Sequence, residues 1–531
     1  MLQFRAVADR GGRHVRPAEA VVDRSLLLRG RIVAMDTDRR IIDDGVVGVV
    51  GGSIVHVEAH QAPGPPGLEA ALEIDTKGTI YPGLIELHNH PVYNAVPLWD
   101  APKLFGNRKE WRRQSREYVR RVKNPMSLIG QNTLDPDYPR AIARFVECKA
   151  LLGGQTTYAG IAARDGTAYT GLIRNVEFPG EAGWPVAVGW INDFKDHADA
   201  LATIGPVLGD RMQPRLHHLS EGTDADARDV FRYMQRSDGS WLLAPNIVSI
   251  HGVGLKAEDL AVLVQGGGLV WSPLSNLLLY GATAQIAAAR AAGVRLALGA
   301  DWAPSGSKNL LGELKIARLW SASNGSILSD RELVEMVTCN PAAMMGWDQW
   351  VGSLAAGRRA DIVVVAGQNK DPHAQLIEAT EEDLAAVLID GRIRCGRSDL
   401  IDAASATAER VVVGRATMMI DLVEPGTDPL AGFSLSAATE KLAYGFAHLP
   451  ELARDRLRQP HVMSKTSERL TLHLDIDEPE TGEKALFGEP PIYPGDVDRM
   501  VLEPITAIDD AAFNYRLKGS LNIPEWLRQA L

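Results

Sequence analysis

This chain of 531 residues has few cysteines, and the features that it lacks exclude several classes of protein before any motif is considered. The three cysteines, Cys148, Cys339 and Cys395, are far apart and form no CxxC pair. This argues against a disulfide framework or a thiolate zinc site and favours a reducing compartment. No apolar run reaches the ~18 residues that a membrane span needs, and no apolar stretch follows the N-terminal arginines as it would in a secretory signal. These absences predict a cytoplasmic protein without a membrane partner.

Basic residues do not outnumber acidic ones, since the formal net charge is −11. Binding to nucleic acid needs a basic face that neutralises phosphates, so we expect no nucleic-acid partner. Apolar residues make up 45% and charged residues 23% of the chain, which is ordinary globular composition. The expected partner is a small-molecule substrate, and the composition leaves a homo-oligomer open.

The length exceeds what one hydrophobic core supports and predicts several domains. Residues 1–24 are Arg-rich and aperiodic and are expected to be a leader. Short β-rich runs broken by Gly and Asp occupy 25–81 and return at 351–397, which predicts one composite β-sandwich built from both flanks. Residues 398–531 contain no visible chemical motif and are expected to be a C-terminal extension with a structural role.

The middle of the chain, residues 82–350, alternates apolar strand-like runs with helical stretches. Eight such units over this length are typical of a (β/α)₈ barrel. An open doubly wound sheet is the alternative, but it would normally show a Gly-rich phosphate loop after its first strand, and none is present. The predicted strands are GLIELHNH, QTTYAGI, LIRNVE, PVAVGWIND, PRLHHLSE, NIVSIHGV, GLVWSPL and VRLALGAD.

The first polar feature is the pair His88 and His90 at the end of the first predicted barrel strand. Alternate residues on a strand point to the same side, so both imidazoles are expected to face one way at the C-terminal end of the strand, where such barrels keep their active sites. Imidazole is a natural ligand for zinc and iron. An HxH pair alone is a weak signal, because two unrelated histidines produce it equally well.

Three more strand ends carry polar residues that strengthen this signal. In HHLSE only one of the adjacent histidines can join the first pair, and the spacing to Glu221 favours His218 over His217. Glu221 could reach the same pocket as a proton carrier. His251 ends another apolar run, and Asp301 ends the last one, where an unpaired buried carboxylate would cost several kcal/mol (about 3–5) without a metal or a partner. A turn-forming loop aspartate is the competing interpretation of Asp301.

Taken in order, these residues and their surroundings resemble the amidohydrolase superfamily over roughly residues 26–397. YPGLIELHNH is similar to its opening HxH motif, and HHLSE to the HxxE of its aminohydrolase branch, which contains cytosine, guanine and chlorotriazine-type enzymes. WSPLSNLLLYG, LALGADWAPSG and the closing segment CNPAAMMGWDQWVGSLAAGRRADIVVV are similar to three further family segments. The set is specific to the superfamily but does not identify a substrate.

The resemblance implies a barrel with a small flanking β-sandwich and one divalent metal, Zn²⁺ or, as the alternative, Fe²⁺. It implies that the metal activates a water molecule whose proton Asp301 takes, that His251 orients the nucleophile and stabilises charge, and that Glu221 passes a proton to the substrate nitrogen. The metal ligands it implies are His88, His90, His218 and Asp301.

Some features depart from the family pattern. The usual aspartate before HxH is Glu86, and Lys195, the nearest candidate for a lysine that bridges two metals, lies beyond its strand. The loop after the first barrel strand does not resemble the deaminases, which puts the deaminase prediction in more doubt than the hydrolase prediction. Side chains near strand ends could contact substrate, although core packing or helix capping would also explain them: Tyr93, Trp99, Trp271, Ser275, Asn276 and Trp302.

Three hypotheses follow from these observations. The first is a metal-dependent hydrolase of non-peptide C–N bonds, acting as an aminohydrolase or deaminase. The second is a hydrolase of cyclic or linear amides on the same scaffold, in which Glu221 protonates a leaving nitrogen. The third is a non-catalytic metal-binding protein that kept the scaffold. Release of ammonia, release of an amine with a carboxylate, and lack of turnover distinguish them.

Overall fold

The structure is a computed structural model, and it describes residues 25–62, 64, 67–161, 171–401, 408–423, 430, 432–458, 470, 472–477 and 491–531. Within these residues the chain is an α/β protein with one mixed sheet and two parallel sheets. No described helix is both long and apolar enough to cross a membrane.

The mixed sheet has nine strands, drawn from both ends of the chain. Its N-terminal and C-terminal halves meet where β4 pairs antiparallel with β13, for example Ile80 opposite Val364. The two flanks therefore do combine, as the sequence predicts, whereas their folding into a sandwich domain stays a prediction. The segment ERVVVGRATMMIDL forms a pair of strands that joins the same sheet through β17, Ala416–Ile420. The strands are β1 Leu26–Val33, β2 Ile41–Val50, β3 Ser53–Ala59, β4 Leu72–Pro82, β13 Ile362–Ala366, β14 Leu384–Ile389, β15 Arg392–Arg397, β16 Glu409–Val413 and β17 Ala416–Ile420.

The eight runs predicted as barrel strands all contain a strand, and all are paired in parallel. They form a sheet of three strands and a sheet of five, with the strands adjacent in chain order. Backbone hydrogen bonds also link the two sheets: Ala187 N–H donates to the Val176 carbonyl, and Asp301 N–H donates to the His88 carbonyl. The strands are β5 Leu84–Glu86, β6 Gln155–Tyr158, β7 Arg174–Asn175, β8 Val188–Trp190, β9 Arg215–Leu219, β10 Ile247–His251, β11 Gly268–Trp271 and β12 Leu296–Leu298.

Helices follow most of the parallel strands, and others come from the C-terminal extension. ATAQIAAARAAG forms a helix that ends at a left-handed Gly293 with a φ of 83°. The helices are α1 Arg108–Gln114, α2 Arg116–Tyr118, α3 Asn124–Ile129, α4 Asp137–Leu152, α5 His197–Ile204, α6 Ala225–Arg232, α7 Ala257–Leu263, α8 Pro273–Tyr280, α9 Ile286–Ala292, α10 Leu310–Ser323, α11 Asp330–Glu335, α12 Cys339–Met344, α13 Pro372–Glu378, α14 Ser398–Ile401, α15 Leu435–Ala447, α16 Leu449–Arg458, α17 Ala511–Gly519 and α18 Glu525–Ala530.

The C-terminal extension is packed on the parallel strands and their helices. Helix α15 lies against α4, where Gly445 approaches the Tyr138 ring so closely that a Cβ there would lie 2.5 Å from it. Phe513 and Leu527, from α17 and α18, are buried with Leu274 and Leu278 of α8. The extension is therefore part of the hydrophobic core around the parallel strands.

Candidate metal centre and active site

The predicted site residues come together at the C-terminal ends of the parallel strands. His88 and His90 follow β5, His218 lies in β9, His251 ends β10 and Asp301 follows β12. All five side chains are buried. His88 and His90 lie beyond the last residue of β5, Glu86, so strand alternation does not itself place them, but their ring centroids are 5.5 Å apart.

Two overlapping groups of these residues have their ligand atoms within 4.8 Å of one another. One group is His88, His90 and His218, and the other is His88, His251 and Asp301. Asp301 Oδ1 lies 3.3 Å from His88 Nε2 and 3.6 Å from His90 Nε2. Within the described residues, His88 Nε2 is buried and has no hydrogen-bond partner. A donor set of three imidazoles and a carboxylate suits zinc, iron and similar metals.

The protonation of two imidazoles shows why a cation fits between them. His90 Nδ1 faces the Asp475 carboxylate at 2.6 Å, and His218 Nδ1 faces the Trp190 carbonyl at 3.3 Å. Both oxygens only accept, so both Nδ1 atoms carry the proton and both Nε2 atoms carry a lone pair. These Nε2 atoms lie 3.2 Å apart. Lone pairs at this distance repel each other unless a proton or a metal lies between them, so the residues present fit a metal site.

The acidic side chains around His90 favour a positive charge at the His90 ring. Burial by itself would lower the pKa of His90, but Asp475 and then Asp301 outweigh it and raise the pKa above its usual value. Burial, followed by the neighbouring imidazoles, holds the pKa of His88 and His218 well below the usual value. Neutral imidazoles beside acidic groups are the form in which histidine binds a metal.

Asp301 is held in a strained position by its neighbours. Its φ of 66° lies in the left-handed region, which is uncommon for an aspartate and costs roughly 1–3 kcal/mol. Ser275 Oγ donates to Asp301 Oδ2 at 2.6 Å. Burial raises the pKa of the Asp301 carboxyl to about 8, and the neighbouring His90 opposes this shift. A carboxylate buried at this cost is expected to have a positively charged partner.

His251 is also left-handed, with a φ of 68°, and its tautomer is set by a neighbour. The Asn276 amide nitrogen donates to His251 Nδ1 at 2.9 Å, which leaves the proton on Nε2. This Nε2 lies 3.4 Å from Glu221 Oε2. Burial lowers the pKa of His251 to about 4, so the ring is neutral at neutral pH and offers one N–H toward Glu221.

Glu221 is buried beside the histidine cluster but outside both groups of converging ligand atoms. Tyr280 Oη donates to its Oε1 at 2.6 Å, and a guanidinium nitrogen of Arg108 lies 3.6 Å from its Oε2. The backbone here is tight, since Gly222 has a φ of 144° and a Cβ on it would lie 2.3 Å from the Gly106 carbonyl. The loop after β5 is thus fixed against the segment that carries Glu221.

The predicted substrate contacts occupy different places, and their roles stay predictions. Tyr93 and Trp302 lie near His90, with the Trp302 ring 6.4 Å from its ring. Trp99 is stacked on Phe105, while Trp271 donates to Thr283 and contacts Trp320. Ser275 and Asn276 are bonded to Asp301 and His251, so both support the candidate site residues directly.

Two residues weighed in the sequence lie outside the cluster. His217 is buried against the Phe194 ring at 4.5 Å, and burial lowers its pKa to about 3. Lys195 is exposed, and its backbone N–H donates to Asp199. Glu86, the residue that departs from the family pattern, is buried and accepts from the Ala300 N–H at 2.6 Å, so it ties β5 to the end of β12.

The sequence did not reveal Asp475 and Arg108 as neighbours of the site. Asp475 is 385 positions from its partner His90. No local pattern connects such distant residues. The one available signal was the alternation in LHLDID, which indicates an extended segment with an apolar and a polar face.

Comparison with known proteins agrees with this geometry. The sequence family described as "Amidohydrolase family" matches residues 223–394. A 5-methylthioadenosine/S-adenosylhomocysteine deaminase of Symbiobacterium thermophilum is 26% identical over 413 residues, which cover 70% of this chain and 93% of the relative. A 5'-deoxyadenosine deaminase of Methanosarcina mazei is 29% identical over 170 residues, 29% of this chain and 38% of the relative.

Two solved structures share the fold. The zinc-bound adenosine deaminase of Xanthomonas campestris has a TM-score of 0.52 at 16% identity and covers 82% of this chain and 98% of its own. The atrazine chlorohydrolase of Arthrobacter aurescens TC1 complexed with zinc has a TM-score of 0.54 at 20% identity, covering 70% and 95%. With the motifs quoted above, these matches confirm the resemblance of the chain to the amidohydrolase superfamily, and to its aminohydrolase branch in particular.

Proposed function

We propose that this protein is a metal-dependent hydrolytic deaminase that removes an amino group from a nitrogen heterocycle as ammonia. Hydrolysis of a non-peptide C–N bond is supported by the family and by relatives named as deaminases. The relatives point to an adenosine derivative modified at its 5' position as the substrate class. We also infer that the eight parallel strands form a (β/α)₈ barrel over residues 82–350, supported by the hydrogen bonds between β5 and β12 and between β7 and β8.

The metal ligands in this proposal are His88, His90, His218 and Asp301, with zinc as the first candidate metal and iron as the second. A divalent metal held there supplies Lewis-acid activation of a water molecule. The convergence of lone pairs and one carboxylate on a small volume supports one metal. Lys195, the candidate for bridging a second, lies on the surface.

The chain's own residues divide the proton transfers between them. Asp301, raised in pKa and held by Ser275, takes the proton from the attacking water. The N–H of His251 Nε2 stabilises negative charge that develops on the attacked carbon's substituent. Glu221 passes a proton to a ring nitrogen of the substrate, which makes the attacked carbon more electrophilic, and the proton that Asp301 took from the water goes to the amino group, which leaves as ammonia.

One observation carries the proposal. Glu221 is a buried carboxylate fixed by Tyr280, beside the histidine cluster but not converging on it. A carboxylate in that place has no role as a ligand and is positioned for proton transfer to a substrate that lies over the metal centre. This separation of a ligand carboxylate from a proton-carrying carboxylate is what hydrolytic deamination requires.

The direct test is an ammonia assay of the purified, zinc-loaded full chain. Substrates would be 5'-methylthioadenosine, S-adenosylhomocysteine, 5'-deoxyadenosine and adenosine, with cyclic and linear amides as the second panel. Release of ammonia with conversion of the purine supports the proposal. Amine and carboxylate release from the amide panel alone would replace it with the amide-hydrolase hypothesis, and lack of turnover on any C–N substrate would favour a binding protein.

We expect about one equivalent of zinc or iron per chain, and we expect metal removal to destabilise the fold. A metal that binds only the folded state stabilises that state, so its removal lowers the free energy of unfolding. At a free metal concentration of 1,000 times Kd, binding would stabilise the folded state by about 4 kcal/mol. Elemental analysis and thermal unfolding before and after chelation measure both quantities. Two tightly held metals, or an unchanged melting temperature on zinc addition, would contradict the assignment.

A further inference from the structure

A short segment of the C-terminal extension, residues 472–477, lies across the metal centre. Its residues alternate between buried and half-buried, and the buried ones are Leu472, Leu474 and Ile476. They belong to the hydrophobic core around the parallel strands, and Leu472 N–H donates to the Gly130 carbonyl. Asp475–Asp477 forms a single turn of 3₁₀ helix, and its two acidic residues are only half-buried, so their side chains lie outside that core.

Each of these two carboxylates has a defined partner near the site. Asp475 Oδ2 accepts from His90 Nδ1 at 2.6 Å. Asp477 accepts one hydrogen bond from the Tyr93 hydroxyl and another from the Tyr118 hydroxyl, both at 2.9 Å. The tyrosine hydroxyls and the buried apolar side chains therefore hold the segment in the position that brings Asp475 to His90.

The group that orients the His90 ring differs from the groups that orient the other two clustered imidazoles, His88 and His218. His88 Nδ1 lies 2.7 Å from the Ser272 hydroxyl, and His218 Nδ1 faces the Trp190 carbonyl, so both are oriented by neutral groups next to parallel strands. His90 is oriented by a carboxylate that is 385 positions away in the chain. A charged acceptor gives a shorter and stronger hydrogen bond than a neutral one and makes the opposite ring nitrogen a better electron donor.

We propose that Asp475 is a positioning residue for the metal centre: it fixes the tautomer and ring orientation of His90 and so sets how tightly the centre holds its metal. This inference rests on the proposed function, since it takes His90 as a metal ligand. It gives residues 472–477 of the extension a defined task, which is to complete the metal centre from outside the parallel strands. Loss of a carboxylate that orients a metal-ligating histidine typically weakens metal binding about 10–100-fold.

The test compares the full-length wild type with Asp475→Ala, Asp475→Asn and, as the matched control, Asp477→Asn. Zn²⁺ affinity is measured by competition with a chromophoric chelator, and the visible spectrum of the Co²⁺ form reports on ligand geometry. We expect Asp475→Ala to weaken Zn²⁺ binding about 10–100-fold and to change the Co²⁺ spectrum. Asp475→Asn, which keeps a neutral acceptor of the same shape, should lie between Asp475→Ala and the wild type. Asp477→Asn does not touch His90, and its amide can still bond both tyrosine hydroxyls by accepting from one and donating to the other. The segment therefore stays in place, and this variant should keep the wild-type affinity and spectrum.

The order of these variants distinguishes positioning from mere packing. If Asp475→Ala does not fold, Asp475→Asn alone still has to show weaker binding than Asp477→Asn. Equal affinities and spectra in the wild type and Asp475→Asn or Asp475→Ala would overturn the inference while leaving the proposed function intact. So would an Asp477→Asn variant that loses as much metal as the Asp475 variants. A wild type that binds no Zn²⁺ or Co²⁺ would overturn both the inference and the proposed function.

Discussion

Replacement of Glu221 by glutamine is expected to leave the metal and the fold in place while lowering turnover about 10²–10⁴-fold, the usual contribution of a positioned proton carrier. The amide keeps the size of the side chain and can still accept from the Tyr280 hydroxyl, which lies 2.6 Å from Glu221 Oε1. It cannot carry a proton to a substrate nitrogen. Steady-state kinetics with ammonia detection, together with elemental analysis of the same preparation, measures both parts of this result.

A surface variant provides the control for loss of one negative charge. Glu258→Gln removes a carboxylate that is 68% exposed and paired with Arg228 on the surface, and it should leave turnover unchanged. If Glu221→Gln loses the metal, Glu221 is a metal ligand and the proposed ligand set is wrong. If Glu221→Gln turns over its true substrate at nearly the wild-type rate, the HxxE resemblance is misleading and the amide-hydrolase hypothesis gains support.

The strands of the parallel sheets could be predicted because most of them are short apolar runs that end in polar residues. All eight runs contain a strand, from β5 to β12. The common placement of His88, His90, His218, His251 and Asp301 followed from the same pattern, because parallel strands bring their C-terminal ends to one edge. What the pattern could not supply is the hydrogen bonds that select the ring nitrogens, such as the one from Asn276 to His251 Nδ1.

The contribution of the C-terminal extension could not be predicted for a different reason. β16 and β17 pair with each other, but their attachment to the mixed sheet depends on β15 having a free edge, which is a property of the assembled sheet. The contact of Asp475 with His90 depends on the burial of Leu472, Leu474 and Ile476, and any apolar core would satisfy those three side chains equally well. Local periodicity therefore predicts which side chains of the segment are buried, whereas the 3₁₀ turn at Asp475–Asp477 and the docking place of the segment are decided by tertiary packing.

Asp301→Asn is expected to have a larger effect than Glu221→Gln, because it removes a ligand and a proton acceptor together. Asp301 Oδ1 lies within 3.6 Å of two imidazole Nε2 atoms, so its negative charge belongs to the metal centre. An asparagine at this place is neutral and a poor ligand for zinc. We expect the variant to lose most of its metal after dialysis and to lose turnover by at least ~10⁴-fold, the upper end for a single proton carrier.

The comparison between the two substitutions makes the test specific, because each exchanges a buried carboxylate for an amide in the same site. Saturating zinc should restore metal content to Asp301→Asn without restoring its rate, since the refilled site still lacks a group to take the proton from water. Full recovery of rate on zinc addition would limit Asp301 to the role of a ligand. Normal metal retention would remove it from the ligand set and leave His88, His90 and His218 as the donors, because Asn276 donates to His251 Nδ1 and the proton of that ring is on Nε2. The two variants thus assign each carboxylate its role from two measurements, metal content and rate. A variant that is merely unstable would lose both together, so it could not lose its rate and keep its metal.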